Sequence, residues 1–219
     1  MAFKHGLRND AGANCYQNAV TQALSACPSF RDRINSSPHG KLRGCSKECC
    51  LCIMKERLNE AGKTGKSVGP PDFQKLLRGF GEDAAGRGVQ QDAHEFLRIL
   101  VALMDDDTKD LFTGAQQTAF SRPGPQRCPK HSNCDFQDLS LYIDGCKTAS
   151  QAMGKYNRFN TDYRCDQCGA TGEIAGQVQI TSYPQILLIH FARFSPEKTR
   201  AGYRKNHQAV GYEETIDLG

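Results

Sequence analysis

Cys15-Tyr16-Gln17-Asn18-Ala19-Val20-Thr21-Gln22-Ala23-Leu24 repeats apolar residues at helical spacing. Tyr16, Ala19, Val20, Ala23, Leu24 and Cys27 fall on one stripe, so the spacing predicts a helix with a face to bury. Asn14 is a good N-cap. Gln17, three residues on, has the reach to bond back to the Asn14 N–H, which is the capping-box pattern with Cys15 at the first helical position. Pro28 is expected to stop the helix. A thiol at that place feels the positive end of the helix dipole and unpaired N–H groups, conditions that favour a nucleophilic thiolate. A single cysteine is more often a small buried hydrophobe, and this helix alone leaves both readings open.

A second amphipathic helix opens at Gln90-Gln91-Asp92-Ala93-His94-Glu95-Phe96-Leu97 and repeats Ala93, Phe96, Leu97, Leu100, Val101 and Met104 on one face, to about Asp106. The two apolar faces suit one another. Between them lie a helical segment near Leu51–Ala61, a Gly, Lys and Pro linker from Gly62 to Pro71, a short helix over Asp72–Phe80 and a small-residue loop to Gly88. Beyond Gly114 the pattern changes. A loop is expected over Thr118–Arg127, then period-two segments with Leu139, Leu141 and Ile143 on one strand and Ile174, Gly176, Val178 and Ile180 on another. Ile186–Phe194 reads as a continuous apolar strand covered on both faces. Helices first and strands second predict an α+β fold.

Five blocks, taken in order, carry a resemblance. They are Gly6-Leu7-Arg8-Asn9 with Asn14-Cys15-Tyr16-Gln17-Asn18, then Gln90-Gln91-Asp92-Ala93-His94-Glu95-Phe96, then Asp138-Leu139-Ser140-Leu141-Tyr142-Ile143, Tyr163-Arg164-Cys165-Asp166-Gln167-Cys168, and Pro184 to Phe194. The chain resembles the ubiquitin-specific proteases, from about Gly6 to Leu218. The resemblance implies a papain-like cysteine protease fold, with a helical lobe (thumb, 1–113) packed against a mainly antiparallel sheet lobe (palm and zinc-bearing fingers, 128–219) and a cleft between them. It implies a deubiquitinating thiol protease that cleaves after the C-terminal glycine of ubiquitin. Cys15 takes the place of the nucleophile, Asn9 that of the oxyanion donor, and Asp92, with Gln91 beside it, that of the group that meets ubiquitin's extended tail. Asn9 stands one residue farther from the cysteine than in the family pattern.

The family's catalytic histidine lies in a block beyond the strand that here reaches Asp217-Leu218-Gly219, so the chain reads as a partial catalytic domain with its C-terminal part missing. His5, His39, His94, His131, His190 and His207 all fall where the family has no catalytic residue. A cysteine nucleophile needs a base, so a second reading stands beside the hydrolase: a catalytically inactive ubiquitin-binding protein, or a zinc-dependent interaction protein.

Cys128-Pro129-Lys130-His131 and Cys165-Asp166-Gln167-Cys168 are two pairs with two intervening residues each, able to present Cys128, His131, Cys165 and Cys168 to one structural zinc ion. Cys134 is a rival fourth ligand, and unmetallated loop thiols are the bland alternative. The resemblance implies the same, since many of these proteases carry such pairs at the tips of a finger-like sheet. Cys45, Cys49, Cys50 and Cys52 fit no common four-ligand spacing; with Leu51, Met54 and Leu58 beside them they read as helix packing rather than as a metal or redox site. Gly62-Lys63-Thr64-Gly65-Lys66-Ser67 lacks the upstream glycine and the preceding strand of a phosphate loop, so nucleotide binding is rejected.

Eleven cysteines, an odd number, without an export signal point to thiols and metal sites in a reducing compartment, cytoplasm or nucleus, rather than to a disulfide framework. A net charge of +4 without a basic stripe gives little support to nucleic-acid binding, and no segment has the length of a membrane span. The expected partners are ubiquitin and ubiquitinated proteins.

Overall fold

A computed structural model of the chain describes residues 6–9, 14–38, 45, 49–64, 66–69, 72–77, 91–121, 130–164, 169–196 and 203–216. The chain forms two compact units, Met1–Leu111 and Phe112–Gly219.

The first unit is helical: α1 (Cys15–Ala26), α2 (Pro28–Ser36), α3 (Cys50–Thr64), α4 (Gln74–Leu77), α5 (Ala93–Ala102) and α6 (Asp106–Lys109). Pro28 does more than end α1. Its fixed φ and missing N–H suit the first position of a helix, and α2 starts on it, burying Phe30 and Ile34. α5 ends sooner than its apolar pattern, at Ala102, because Asp105 caps a separate short helix by accepting the Thr108 N–H at 2.8 Å. The predicted pairing of α1 and α5 is observed: the Tyr16 ring meets Phe96 edge-on with centroids 5.4 Å apart, and Phe73 packs on Phe96 at the same separation.

The buried stripe of α1 is not the predicted one. Tyr16, Val20 and Leu24 are buried, but Ala19 and Ala23 are exposed, and Gln17, Asn18, Thr21 and Ser25 take the inner places. Alanine gains little from burial, whereas Gln17, Asn18 and Ser25 each make a side-chain hydrogen bond from their inner places; Thr21 Oγ1 is buried without one among the described residues. Gln17 Nε2 donates to the Tyr16 hydroxyl at 2.8 Å, and Ser25 Oγ donates to the Thr21 carbonyl at 2.5 Å. Hydrogen-bonded polar groups can be buried at modest cost, which lets the helix turn its larger side chains inward.

The second unit contains β1 (Gly114–Ser121), β2 (Lys130–Phe136), β3 (Leu139–Tyr142), α7 (Ala149–Asn157), β4 (Arg158–Arg164), β5 (Thr171–Ser182), β6 (Ile189–Ala192), β7 (Phe194–Pro196) and β8 (Tyr203–Lys205). A four-stranded antiparallel sheet runs in the order β2-β1-β5-β4. β5 buries Ile174, Gly176, Val178 and Ile180 in strict alternation, as its period-two pattern predicts. β3 pairs with β6 in parallel, Leu139 opposite Ile189. Two boundaries differ from the sequence reading. β1 continues through Thr118 to Ser121, where a loop was expected to start, because Thr118 is buried and paired to both Ser132 and Val178. The apolar run 186–194 is not one strand covered on both faces: it holds the four-residue β6, whose residues are all half-buried, and Phe194, which is exposed and opens β7. The core of this unit holds Leu139, Leu141, Ile143, Met153, Phe136 and Ile180. The architecture is α+β.

Candidate active site

Cys15 is the first residue of α1, exposed and a free thiol. The turn before it is not the capping box that its sequence suggests. The Asn14 side chain makes no cap bond, and Gln17 is turned inward to Tyr16. The Asn14 backbone N–H instead donates to Asn9 Oδ1 at 2.9 Å, clamping the residue before Cys15 to a side chain five positions upstream. Asn9 thereby uses the acceptor end of its carboxamide for the backbone, and its Nδ2 donor end is the part outside that bond.

Asn18 is a positioning residue that the sequence reading did not single out. It is buried, and its Nδ2 donates to the Arg8 carbonyl at 3.0 Å. The Arg8 N–H in turn donates to the Val68 carbonyl at 2.9 Å, beside a parallel bridge between Leu7 and Val68. The strip Leu7–Asn9 is therefore pinned on one side to Val68 and on the other to α1, three residues after the thiol. Asn18 Oδ1 is buried with no hydrogen-bond partner among the described residues. The signal was available: a polar residue at i+3 from Cys15, on the side of the helix that buries Tyr16.

Gln91 and Asp92 sit at the start of α5. Asp92 is its N-cap, with Oδ1 accepting from the N–H groups of His94 at 2.6 Å and Glu95 at 3.3 Å. Asp92 is exposed, and its cap bonds both use Oδ1. Phe96 lies in the core. Tyr16, Leu77, Gln91, Asp92, Glu95 and Phe96 line one shallow depression. The packing of α1 on α5 thus brings the residue after Cys15 and the two residues expected to bind substrate to a single surface feature.

Of the residues expected to hold zinc, Cys128, Cys165 and Cys168 lie outside the described residues, and His131 is exposed on β2 opposite Ala119. The strand register bears on the fit. β1 ends at Ser121, β2 begins at Lys130, β4 ends at Arg164 and β5 begins at Thr171, all at the same end of the four-stranded sheet. Both connections that carry the cysteine pairs therefore leave from one end. His131 itself is level with Gln177, six residues below Thr171, or about 20 Å along the strand. Cys134 is deeper still, level with Ile180, and accepts from Gln116 Nε2 at 3.5 Å. An odd separation on a strand also turns it to the opposite face from His131, so Cys134 does not join His131 on one ion.

The cysteines at the start of α3 divide in two. Cys50 is buried, its thiol donates to the Leu103 carbonyl at 3.4 Å, and burial pushes it up to about 12, so it packs as expected. Cys45, Cys49 and Cys52 do not pack in that way. They are half-buried, with their sulfurs within 4.8 Å of one another. Burial, followed by the neighbouring Cys45 and Cys49 thiols, pushes Cys52 up to about 12.

Three comparisons place this geometry among known proteins. The family model described as ubiquitin carboxyl-terminal hydrolase matches residues 5–219. Ubiquitin C-terminal hydrolase 15 of Oryza sativa subsp. japonica is 28% identical over 239 residues, covering 97% of this chain and 24% of its own length. Ubiquitin carboxyl-terminal hydrolase 17-like protein B of Mus musculus is 24% identical over 237 residues, covering 97% of this chain and 48% of its own. The chain thus spans between a quarter and a half of these relatives. A solved structure of the SAGA Ubp8/Sgf11/Sus1/Sgf73 DUB module bound to ubiquitin aldehyde shares the fold, with a TM-score of 0.74 at 21% identity over 96% of this chain and 51% of that one.

Proposed function

Because the chain belongs to the ubiquitin carboxyl-terminal hydrolase family, we propose that it acts as a deubiquitinating thiol protease on ubiquitin and ubiquitinated proteins. The observation that carries the reading is the exposed Cys15 at the head of α1, one residue from Tyr16, which shares a depression with Gln91 and Asp92. In the proposed reaction Cys15 Sγ attacks the carbonyl carbon of ubiquitin's C-terminal glycine. The C–N bond breaks, the amine leaves with a proton, and the resulting thioester is hydrolysed by water to a carboxylate and the free thiol. Nδ2 of Asn9 is the donor suited to the developing oxyanion. The free oxygen of Asp92, and Gln91 beside it, are suited to backbone N–H groups of an extended peptide tail.

The same proposal includes a structural zinc ion held by Cys128, Cys165, Cys168 and His131. The two cysteine-bearing connections leave one end of the sheet, which supports the site; the position of His131 along β2 makes it the member with the poorest fit. Zinc analysis of Cys165→Ser against His131→Ala separates the two statements: loss of metal only in the first would retain the site and release His131 from it. A reducing compartment, cytoplasm or nucleus, completes the reading, in keeping with eleven cysteines, an odd number, in one chain.

The test of the hydrolase reading is mass-spectrometric labelling of the chain by ubiquitin carrying a thiol-reactive electrophile at its C terminus. One adduct, mapped to Cys15 and lost in Cys15→Ala, is the expected result. A folded chain whose Cys15 reacts with a small alkylating agent but never with the ubiquitin probe would overturn it.

A further inference from the structure

β4 closes one side of the four-stranded sheet: among the described residues no strand lies on its outer side. It is seven residues long, Arg158-Phe159-Asn160-Thr161-Asp162-Tyr163-Arg164, or about 23 Å of strand, and exposed throughout except for the half-buried Tyr163. An edge of this length offers a row of backbone donors and acceptors to another strand, and folded chains commonly blunt such edges with a proline or a bulge. β4 has neither. Its pairing with β5 keeps one register from Arg158 opposite Gln177 to Arg164 opposite Thr171.

The edge reads nearly the same in both directions. About Thr161, Arg158 mirrors Arg164, Phe159 mirrors Tyr163, and Asn160 mirrors Asp162. Two copies of β4 laid antiparallel about a two-fold axis through Thr161 therefore place Phe159 opposite Tyr163 of the second copy, and do so twice, because an isologous interface repeats every contact. Aromatic residues directly opposite one another are among the favourable cross-strand pairs. The rings are already held for it: Phe120 meets Phe159 edge-on with centroids 6.3 Å apart and stacks on Tyr163 at 6.5 Å, reaching both across β5 where Gly176 has no side chain. On the other face Arg158 falls opposite Arg164 of the second copy, at the strand ends, where solvent screens them. Asp162 falls diagonal to Arg158 of the second copy, so one carboxylate lies beside each arginine pair. β2, the opposite edge of the sheet, lacks this symmetry: about its centre, Asn133, Lys130 would face Phe136, which belongs to the core.

We propose that β4 is a self-association edge, through which two copies of this chain join their four-stranded sheets into one, antiparallel and in register about Thr161. The occupant is a second copy rather than an unrelated extended peptide, because the mirrored order of the seven residues meets the requirement of a two-fold axis and gives no advantage to a foreign strand. The proposal rests on the second unit alone and is independent of the reaction assigned to Cys15.

Sedimentation equilibrium of the whole chain under reducing conditions is expected to show monomer and dimer in exchange. Thr161→Lys sets two ammonium groups opposite each other on the axis and is expected to weaken association about tenfold or more; Thr161→Val, also exposed and β-branched, should retain it. An unchanged urea midpoint in Thr161→Lys places its effect between copies. The register has its own readout, which stands even where the lysine variant folds poorly: under mild oxidation Thr161→Cys is expected to give a disulfide between copies, mapped by mass spectrometry to position 161 of both. Glu173→Cys, exposed on β5 one strand further from the axis, should give none. A chain that stays monomeric at about 1 mM, a dimer that Thr161→Lys leaves unchanged, or cross-linking at position 173 but not at 161 would overturn the proposal.

Discussion

Asn14 donates its backbone N–H to Oδ1 of Asn9 at 2.9 Å, so the residue before the nucleophile is held by the residue proposed to stabilise the oxyanion. The two roles use opposite ends of one carboxamide and can be separated. Asn9→Asp keeps an acceptor for Asn14 but removes the Nδ2 donor; Asn9→Ala removes both. Loss of a working oxyanion donor costs about 10²–10³ in rate. Asn9→Asp is therefore expected to unfold at the wild-type urea midpoint while reacting far more slowly with the ubiquitin electrophile. Equal reaction rates would leave Asn9 as a clamp alone.

Asp92 also carries two roles on two oxygens. Its Oδ1 caps α5, and replacing such a cap by alanine costs about 1 kcal/mol, whereas asparagine caps about as well as aspartate. Asp92→Asn is expected to leave stability within a few tenths of a kcal/mol of wild type and to weaken ubiquitin binding, because a neutral carboxamide is a poorer acceptor than a carboxylate. Asp92→Ala should lose both. Calorimetric titration with ubiquitin beside urea unfolding checks the pair; unchanged affinity in Asp92→Asn would reduce Asp92 to a helix cap.

The α1–α5 contact was legible in the sequence because two strong helical periodicities each left an apolar face to cover, and Tyr16 and Phe96 lay on those faces. β5 was legible for a similar reason: seven residues of strict alternation, from Ile174 to Ile180, admit one reading. What sequence did not reveal depends on partners distant along the chain. Gln17 turned from Asn14 to Tyr16, because the Asn14 N–H had a partner in Asn9, five positions upstream. Thr118 joined β1 because Ser132 and Val178 lie on either side of it. The three clustered thiols looked like packing because their common feature is proximity in space, and four cysteines in eight residues do not say which of them turn inward.

Tyr16 and Phe96 couple the helix that carries the thiol to the helix that carries Asp92. Phe96→Leu and Tyr16→Leu each remove one ring of the edge-on pair, and such pairs contribute about 0.5–1.5 kcal/mol beyond area burial. A double-mutant cycle in urea is expected to return a coupling energy in that range. Reactivity of Cys15 toward the ubiquitin probe should fall in Phe96→Leu even though Phe96 is buried and the thiol is not. Strict additivity would mean that the rings are merely adjacent.

Gly114 and Gly176 both lie against an aromatic ring, and the difference between the rings decides what alanine would do. A Cβ on Gly114 would stand 2.4 Å from Phe136 Cζ and 2.9 Å from Pro184 Cδ; one on Gly176 would stand 2.4 Å from Phe159 Cζ. Phe136 is 9% exposed and belongs to the core with Leu139 and Ile180, so it has nowhere to move. Phe159 is 37% exposed and can swing outward, giving up its edge contact with Phe120 and its seat over Gly176. Overpacking in a closed core costs about 1–3 kcal/mol, while replacing a strand glycine by alanine returns about 0.5–1 kcal/mol. Gly114→Ala is thus expected to be clearly destabilising and Gly176→Ala close to neutral. Phe136→Leu, which removes the colliding ring atoms, should make the Gly114→Ala substitution much less costly when the two are combined. Equal losses for the two glycines in urea unfolding would mean that the rings yield alike, and that burial of Phe136 does not set the tolerance of the sheet at the start of β1.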